Sequence, residues 1–132
     1  MVFFNRKAAE DGYTFDSGAE LVRYRQLKLM LAAGEITNLK VHPRWKLAPG
    51  VRFTGEKRAK PALEYTADFS YLGPSGDRKF WLVVEDVKPR GSRSSKAYRT
   101  AAYRIRRHLM LAVHGIEVVE IEISDQERKQ FL

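Results

Sequence analysis

The sequence contains no cysteine, and this absence excludes several kinds of chemistry at once. None of the 132 residues supplies a thiol for a disulfide, a nucleophile or a zinc site. The apolar runs are far shorter than the roughly 20 residues that a membrane-spanning helix needs. Acidic residues are in the minority, with 16 Asp and Glu against 24 Lys and Arg, and the net charge is +8. We expect one soluble domain, in a reducing compartment, that binds a polyanion.

The charge excess is concentrated in one segment. Between Val87 and Ile116 there is no Asp or Glu. The basic residues of that segment are Lys88, Arg90, Arg93, Lys96, Arg99, Arg104, Arg106 and Arg107. The rest of the chain has as many acidic as basic residues. A solubilising face remains an alternative, but this concentration favours contacts with phosphate groups, because each neutralised phosphate releases counterions. It indicates no base preference.

Hydrophobic periodicity predicts the element order α, β, β, β, α, β after a loose arm over residues 1–14. Ser17 and Glu20 have the spacing of a capping box, and apolar residues then recur on one helical face until Gly34. We therefore predict a first helix over residues 18–33.

Three strands are predicted next. Residues 36–47 have a mixed pattern that Pro43 interrupts, which indicates an imperfect or edge strand. Residues 62–72 alternate cleanly between apolar and polar side chains. Residues 79–88 are so apolar that we predict a central strand covered on both faces, with Trp81 in the core. A Gly- and Pro-containing turn joins the last two strands into a hairpin.

The second half of the chain predicts one more helix and one more strand. A helix over residues 96–113 has an apolar set that includes Ala102, Ile105, Leu109 and Val113, and Gly115 ends it. Residues 116–123 are rich in β-branched side chains and predict a strand, after which Ser124 caps a short last helix. The fold class is α/β, a single domain with a mixed central sheet flanked by helices.

The candidate chemistry lies on the strand 79–88, where Asp86 and Lys88 share one face. If the hairpin pairs residues whose numbers have an even sum, Asp68 lies beside Asp86, at about 4.5 to 8 Å; an odd sum separates them. Two such carboxylates repel each other unless a cation lies between them, and Mg²⁺ prefers oxygen ligands of this kind, with Mn²⁺ as a substitute. Lys88 would neutralise a bound phosphate. The alternative is a surface ion pair between Asp86 and Lys88.

This arrangement resembles the PD-(D/E)XK nuclease superfamily, whose core follows the same element order. Its sites combine an Asp, an acidic-x-Lys triplet on the next strand and often a Glu from the first helix, and Asp68, Asp86-Val87-Lys88 and Glu20 match in that order. The segments 15–20, 65–69 and 84–88 look more closely like a family of small phage proteins within that superfamily that are regarded as endonucleases. The Asp68 strand lacks the Pro of the motif, and Asp86 stands where Glu is frequent.

The resemblance implies a restriction-endonuclease-like domain over residues 15–132, with Glu20, Asp68, Asp86 and Lys88 as catalytic residues. Glu20, Asp68 and Asp86 would be the metal ligands, although Glu20 could be only a helix cap. Glu85 points away from Asp86 and is expected to pair with a basic residue. Candidate nucleic-acid-binding residues are Arg90, Arg93, Lys96, Arg99, Arg104 and Arg107. His42, His108 and His114 lack the spacing of metal ligands.

The sequence thus predicts a Mg²⁺-dependent endonuclease that hydrolyses DNA phosphodiester bonds. Its small size, by analogy with Holliday junction resolvases, favours branched DNA and a homodimer. A non-catalytic module that recognises phosphate spacing and shape is the main alternative, and an assembly protein with an acidic protein partner is a third. The N-terminal residues lack the order of a signal peptide, so we expect a cytoplasmic protein, in the host cytoplasm if phage-encoded.

Overall fold

The computed structural model describes residues 7–75, 78–88 and 100–132. In these ranges the elements are β1 (Ala8–Glu10), β2 (Tyr13–Phe15), α1 (Gly18–Ala32), β3 (Thr37–Val41), β4 (Arg44–Ala48), β5 (Leu63–Thr66), β6 (Phe69–Ser75), β7 (Arg78–Lys88), α2 (Ala101–His114), β8 (Val119–Glu122) and α3 (Asp125–Phe131). Among these described residues, no helix is both long and apolar enough to cross a bilayer.

The main sheet has four strands in the order β3-β6-β7-β8. Strand β6 runs antiparallel to both β3 and β7, whereas β8 pairs in parallel with β7. The parallel pair follows from the connection through α2, because a crossover returns the chain in the same direction. The prediction of an α/β fold with a mixed sheet is confirmed.

Each of two predicted strands is divided in the structure into two shorter strands, and the two parts belong to different sheets. The predicted strand over 36–47 divides into β3 and β4, and the one over 62–72 divides into β5 and β6. Strands β3 and β6 pair in the main sheet, while β4 and β5 form a separate two-stranded sheet. The prediction of one unbroken strand was therefore wrong for residues 62–72, whereas the predicted imperfection of residues 36–47 at Pro43 coincides with the break between β3 and β4.

The break between β3 and β4 lies beside the break between β5 and β6. We call this feature the corner, and it is formed by His42, Pro43, Ala67 and Asp68. The His42 N–H donates to the Asp68 carbonyl at 3.0 Å, and the Ala67 N–H donates to the Pro43 carbonyl at 3.0 Å. The paired chains thus turn together. Pro43 has no N–H to contribute to a continuous ladder, and His42 adopts a positive φ of 54°.

Two apolar cores lie on either side of the main sheet. Helix α1 packs on the first core, whose buried residues are Phe15, Ala19, Leu21, Val22, Tyr24, Leu27, Ile36, Phe69, Tyr71, Val87 and Ile123. Helix α2 packs on the second core, which contains Leu47, Tyr65, Ala67, Val84, Met110 and Val118. Strand β7 contributes to both cores because its successive side chains point to opposite faces.

Over residues 81–88, the part of β7 whose burial the structure describes, the strand is buried only in its second half. Val84 and Glu85 are almost inaccessible, but Trp81 and Leu82 are about half exposed. The prediction that β7 is covered on both faces is thus correct from Val84 onward, and the placement of Trp81 in the core was wrong. Val83 is partly buried between the two halves.

The described part of the predicted loose arm is a folded hairpin. Strands β1 and β2 pair antiparallel, and fully buried Phe15 packs against Tyr24 of α1. Arg25 donates to the Glu10 carboxylate at 2.8 Å, so ionic contacts also hold the hairpin on α1. The prediction of a loose segment was wrong for residues 8–14, and residues 1–6 lie outside the described ranges.

The predicted helix ends agree with the structure better than the predicted buried face of α2 does. Ser17 caps α1, Gly34 follows it with a φ of 78°, and Ser124 caps α3 in a complete capping box. Helix α2 begins after Thr100, and residues 96–99 of its predicted start lie outside the described ranges. Its predicted apolar set does not form the buried face, because Ala102, Ile105 and Val113 are exposed and Leu109 is only partly buried.

Candidate metal and phosphate site

Glu20 is placed by the start of α1. Its N–H donates to the Ser17 Oγ at 3.3 Å, which satisfies one of the amides at the helix N-terminus. Its side chain does not stay at the helix end: the carboxylate lies against Asp68, and its Oε1 is 3.8 Å from the His42 Nε2. Glu20 is 5% exposed, so this carboxylate is inside the protein. Glu20 therefore takes part in the cap through its backbone and leaves its carboxylate for another role.

Asp68 lies at the corner, immediately before β6. Its N–H donates to the Glu85 carbonyl at 3.1 Å, and its Oδ2 accepts the Val87 N–H at 2.6 Å. The adjoining residue Phe69 pairs with Glu85, which is the even-sum register that the sequence argument required. Asp68 is thus fixed beside the Glu85–Val87 segment of β7, with Asp86 next to it.

His42 joins these carboxylates from the other chain of the corner. The ligand atoms of Glu20, His42 and Asp68, which we call the carboxylate–imidazole cluster, lie within 4.8 Å of one another. The imidazole packs beside the Phe15 ring with 5.9 Å between ring centroids. The sequence analysis assigned His42 no metal role because its spacing from acidic residues along the chain has no recognisable pattern.

Burial dominates the electrostatics of the cluster. Desolvation, followed by the negative charges of Glu20 and Asp86, raises the pKa of Asp68 to about 10. Desolvation also raises the pKa of Glu20; the Asp16 charge acts in the same direction, and the hydrogen bond with Asp68 opposes it. Two acidic groups so close share a proton at neutral pH unless a cation joins them.

Asp86 and Lys88 form an ion pair beside the cluster. The Lys88 Nζ contacts the Asp86 Oδ2, and Lys88 is 7% exposed. The same ammonium lies 3.4 Å from the centroid of the Tyr103 ring, whose hydroxyl donates to the Glu120 carboxylate at 2.9 Å. The predicted face of β7 is therefore present, and Tyr103 of α2 packs on it.

Glu85 belongs to the opposite face, as the sequence predicted. The Arg23 Nε and Nη2 donate to its two carboxylate oxygens at 2.8 and 2.6 Å. Tyr71 also donates to this carboxylate through its hydroxyl. The bidentate ion pair ties α1 to β7, so Glu85 has a structural role and holds the strand that carries Asp86.

The described basic side chains of α2 differ in their availability. Arg104 is exposed. Arg106 donates to the Glu64 carbonyl at 2.9 Å, and Arg107 donates to the Val118 carbonyl from both its Nε and Nη2 atoms. The predicted phosphate-binding residues Arg90, Arg93, Lys96 and Arg99 lie outside the described residues.

The donor set of the carboxylate–imidazole cluster suits a divalent cation. The Glu20 Oε1 is buried and has no hydrogen-bond partner, which is costly for a carboxylate oxygen in a protein interior. Two carboxylates and an imidazole are ligands that first-row divalent metals accept. The Asp86 carboxylate is close enough for its charge to act on Asp68, but it lies outside the group of atoms within 4.8 Å.

Comparison with known proteins identifies the family of this chain but not its activity. No curated protein matches this chain significantly, and no solved structure does. A family model described as a protein of unknown function, DUF1064, matches residues 3–115, a range that includes every residue of the carboxylate–imidazole cluster and the Asp86–Lys88 pair. The chain belongs to the DUF1064 family.

Proposed function

We propose that this protein is a metal-dependent endonuclease that hydrolyses DNA phosphodiester bonds. The observation that carries the proposal is the pair of close carboxylates, of buried Glu20 and partly buried Asp68, placed beside Asp86 and Lys88 at one end of β7. This is the set of residues that the likeness to the PD-(D/E)XK superfamily selects, and the α/β fold with its mixed sheet is compatible with a restriction-endonuclease-like core.

The energetic cost of these carboxylates favours a functional role over a structural one for Glu20 and Asp68. A buried carboxylate that lacks a hydrogen bond and repels its neighbour destabilises a fold, and residues with such perturbed pKa values are concentrated at functional sites. Glu20 has a buried oxygen without a hydrogen-bond partner, and Asp68, which accepts the Val87 N–H, has a pKa raised by desolvation and by the charges of Glu20 and Asp86. The buried Glu85, by contrast, is satisfied by Arg23 and Tyr71. Glu20 and Asp68 are therefore the two carboxylates that a cation would stabilise.

The ligands of such a cation would be Glu20 and Asp68, with Asp86 reached by a change of side-chain conformation. A bound divalent metal lowers the pKa of a coordinated water and stabilises negative charge on a phosphate oxygen. The carboxylates alone are compatible with either Mg²⁺ or Mn²⁺. The protein contributes the fixed backbone of the corner, where the Val87 N–H orients the Asp68 carboxylate.

Lys88 is suited to hold the reacting phosphate. Its ammonium is kept near the site by Asp86 and by the face of the Tyr103 ring. An ammonium in a largely buried position interacts more strongly with a phosphate than an exposed one does, because water screens it less. Lys88 would therefore stabilise the charge that develops on the phosphate as the bond to the leaving oxygen breaks.

The DNA-binding part of the proposal rests on the charged segment that follows β7. Eight basic residues without an acidic one begin at Lys88, next to the proposed metal site. They would neutralise backbone phosphates and hold the substrate against the site. Branched DNA as the substrate and a homodimer as the active form come from the analogy with junction resolvases.

A cleavage assay tests the function. Labelled linear duplex, single-stranded and four-way-junction DNA are incubated with the protein in Mg²⁺, in Mn²⁺ or in EDTA, alongside Asp86→Asn and the control Asp125→Asn on the distant helix α3. We expect nicks only with metal, undiminished by Asp125→Asn. Asp86→Asn should keep DNA affinity within about threefold, while its cleavage rate falls by about a hundredfold or more.

The same assay separates the alternatives. Metal-independent binding without nicks in any substrate would refute the enzyme and support the non-catalytic binding module. Loss of DNA affinity in Asp86→Asn without a loss of the cleavage rate would refute the role assigned to Asp86. Preference for the four-way junction over linear duplex would support the analogy with resolvases, and equal rates would contradict it.

A further inference from the structure

His42 offers a nitrogen ligand at the proposed metal site. Its Nε2 lies 3.8 Å from the Glu20 Oε1, which is longer than a hydrogen bond and leaves both atoms facing a common space. Asp68 completes the group, with all three ligand atoms within 4.8 Å of one another. A cation that binds the two carboxylates would therefore also be within reach of the imidazole.

A second observation also points to a ligand. Glu20 is 5% exposed, and its Oε1 has no hydrogen-bond partner. A buried carboxylate oxygen is normally hydrogen-bonded, and one that is not calls for an explanation such as an ion. The same Glu20 Oε1 lies 3.8 Å from the His42 Nε2.

The backbone holds His42 in place at some cost. Its φ of 54° is in the left-handed region, which residues other than glycine adopt infrequently. The His42 N–H is bonded to the Asp68 carbonyl at 3.0 Å, so the same contact that fixes this conformation also fixes the imidazole relative to the Asp68 carboxylate. Such positions persist where surrounding structure overrides local preference, and they are concentrated at functional sites.

The ligand types decide which metal the site prefers. Mg²⁺ strongly prefers oxygen ligands, whereas Mn²⁺ and the later divalent ions of its row accept imidazole nitrogen readily. We propose that His42 is a protein ligand of the metal and makes the site select Mn²⁺ over Mg²⁺. This inference rests on the metal site of the proposed function and names the ion that the site takes.

The test measures metal binding without DNA. Calorimetric titrations of the full chain with Mn²⁺ and with Mg²⁺ are compared for the parent, for His42→Asn and for His108→Asn. Asn tolerates positive φ and so preserves the backbone of the corner. Thermal unfolding in EDTA checks that each variant folds. His108 lies on α2, outside the cluster, and provides the matched control.

We expect the parent to bind Mn²⁺ more tightly than Mg²⁺. Because loss of even an indirect contact to a metal weakens affinity 10- to 100-fold, His42→Asn should lose at least about tenfold in Mn²⁺ affinity. Its Mg²⁺ affinity should change by less than about threefold, since Mg²⁺ gains little from imidazole. His108→Asn should match the parent for both ions. Equal losses for the two ions, or no loss for either, would overturn the proposal.

A spectroscopic measurement on the parent needs no variant. In electron spin-echo spectra of the Mn²⁺-loaded protein we expect a coupling from directly bound nitrogen that is absent in His42→Asn. Its absence in the Mn²⁺-loaded parent would refute the role of His42 even if the protein cleaves DNA. Conversely, a nitrogen-ligated Mn²⁺ in a protein that cleaves no DNA would refute the endonuclease and leave His42 as a ligand.

Discussion

Asp68→Asn should make the metal-free protein more stable while removing a proposed ligand. The folded environment raises the pKa of Asp68 from 3.8 to about 10, so at neutral pH the fold favours a neutral side chain that the unfolded chain ionises. Asn resembles the protonated carboxyl: its oxygen can still accept the Val87 N–H, and its amide can donate to Glu20. The substitution removes the need to bury a charge or take up a proton.

The size of the effect follows from linkage. The pKa is higher in the folded state, so the folded chain binds more protons, and the stability of the parent falls as pH rises from about 4 towards 10. At pH 7 the span above the unfolded pKa is about three pH units, which sets an upper limit of about 4 kcal/mol. We expect Asp68→Asn to gain about 2 to 4 kcal/mol at neutral pH and to lose this advantage near pH 3.

Urea unfolding in EDTA at several pH values measures this gain. The control is Asp11→Asn, because hydrogen bonds from Lys28 and Tyr24 lower the pKa of Asp11, so that substitution should bring no stability at neutral pH. Added Mn²⁺ should stabilise the parent and have little effect on Asp68→Asn. If Asp68→Asn is no more stable than the parent at pH 7 in EDTA, the account of the buried carboxylates is wrong.

Three other predictions test the parts of the fold that position the site. Glu85→Gln leaves the Arg23 guanidinium without its counter-charge, and urea unfolding should show a loss of about 2 to 3 kcal/mol; an unchanged free energy would refute the bridging role. A hydrogen bond from Arg25 lowers the pKa of Glu10, so this ion pair stabilises the hairpin above the unfolded value of 4.5 and is lost as pH falls through the folded value. The protection of the β1 and β2 amides against hydrogen exchange, relative to the intrinsic rate at each pH, should therefore fall as the pH drops below 4.5, and unaltered protection would contradict the ionic docking. Gly115→Ala places a side chain at a φ of 68° in open space, so thermal unfolding should report a cost of about 1 kcal/mol from backbone strain alone, and no cost would contradict this.

Local signals in the sequence were sufficient for the helix ends and for the central hairpin. Ser17, Gly34 and Ser124 act through bonds within a few residues, so their effect is readable without the fold. The sequence left the register of this hairpin open, and the structure has the even-sum register, the one that places Asp68 beside Asp86.

The corner could not be predicted because alternation continues through it. Tyr65 and Ala67 are buried in the second core and Phe69 and Tyr71 in the first, so one apolar row serves both sides of the main sheet. The periodicity therefore predicts one strand where there are two. His42 was missed for the same reason, since only the corner brings it to Asp68.

The outward face of α2 and the exposure of Trp81 were unpredictable for a different reason. Apolar spacing gives the orientation of a helix only if its most apolar stripe is the buried one, and α2 packs through Tyr103, Leu109 and Met110, of which only Leu109 belongs to the predicted set. Likewise, an apolar strand is covered only as far as its neighbours extend. The apolar pattern predicts which side chains can be buried, and the tertiary fold determines which of them are buried.

The corner also has a mechanical consequence. Strands β4 and β5 continue the chain segments of β3 and β6. Two backbone hydrogen bonds at the corner, from His42 to Asp68 and from Ala67 to Pro43, join these segments where the small sheet meets the main sheet. Because one of these bonds joins His42 to Asp68, a displacement of the small sheet would alter the separation between the imidazole and the Asp68 carboxylate. A macromolecule bound to that sheet would then change the geometry of the cluster without contacting it.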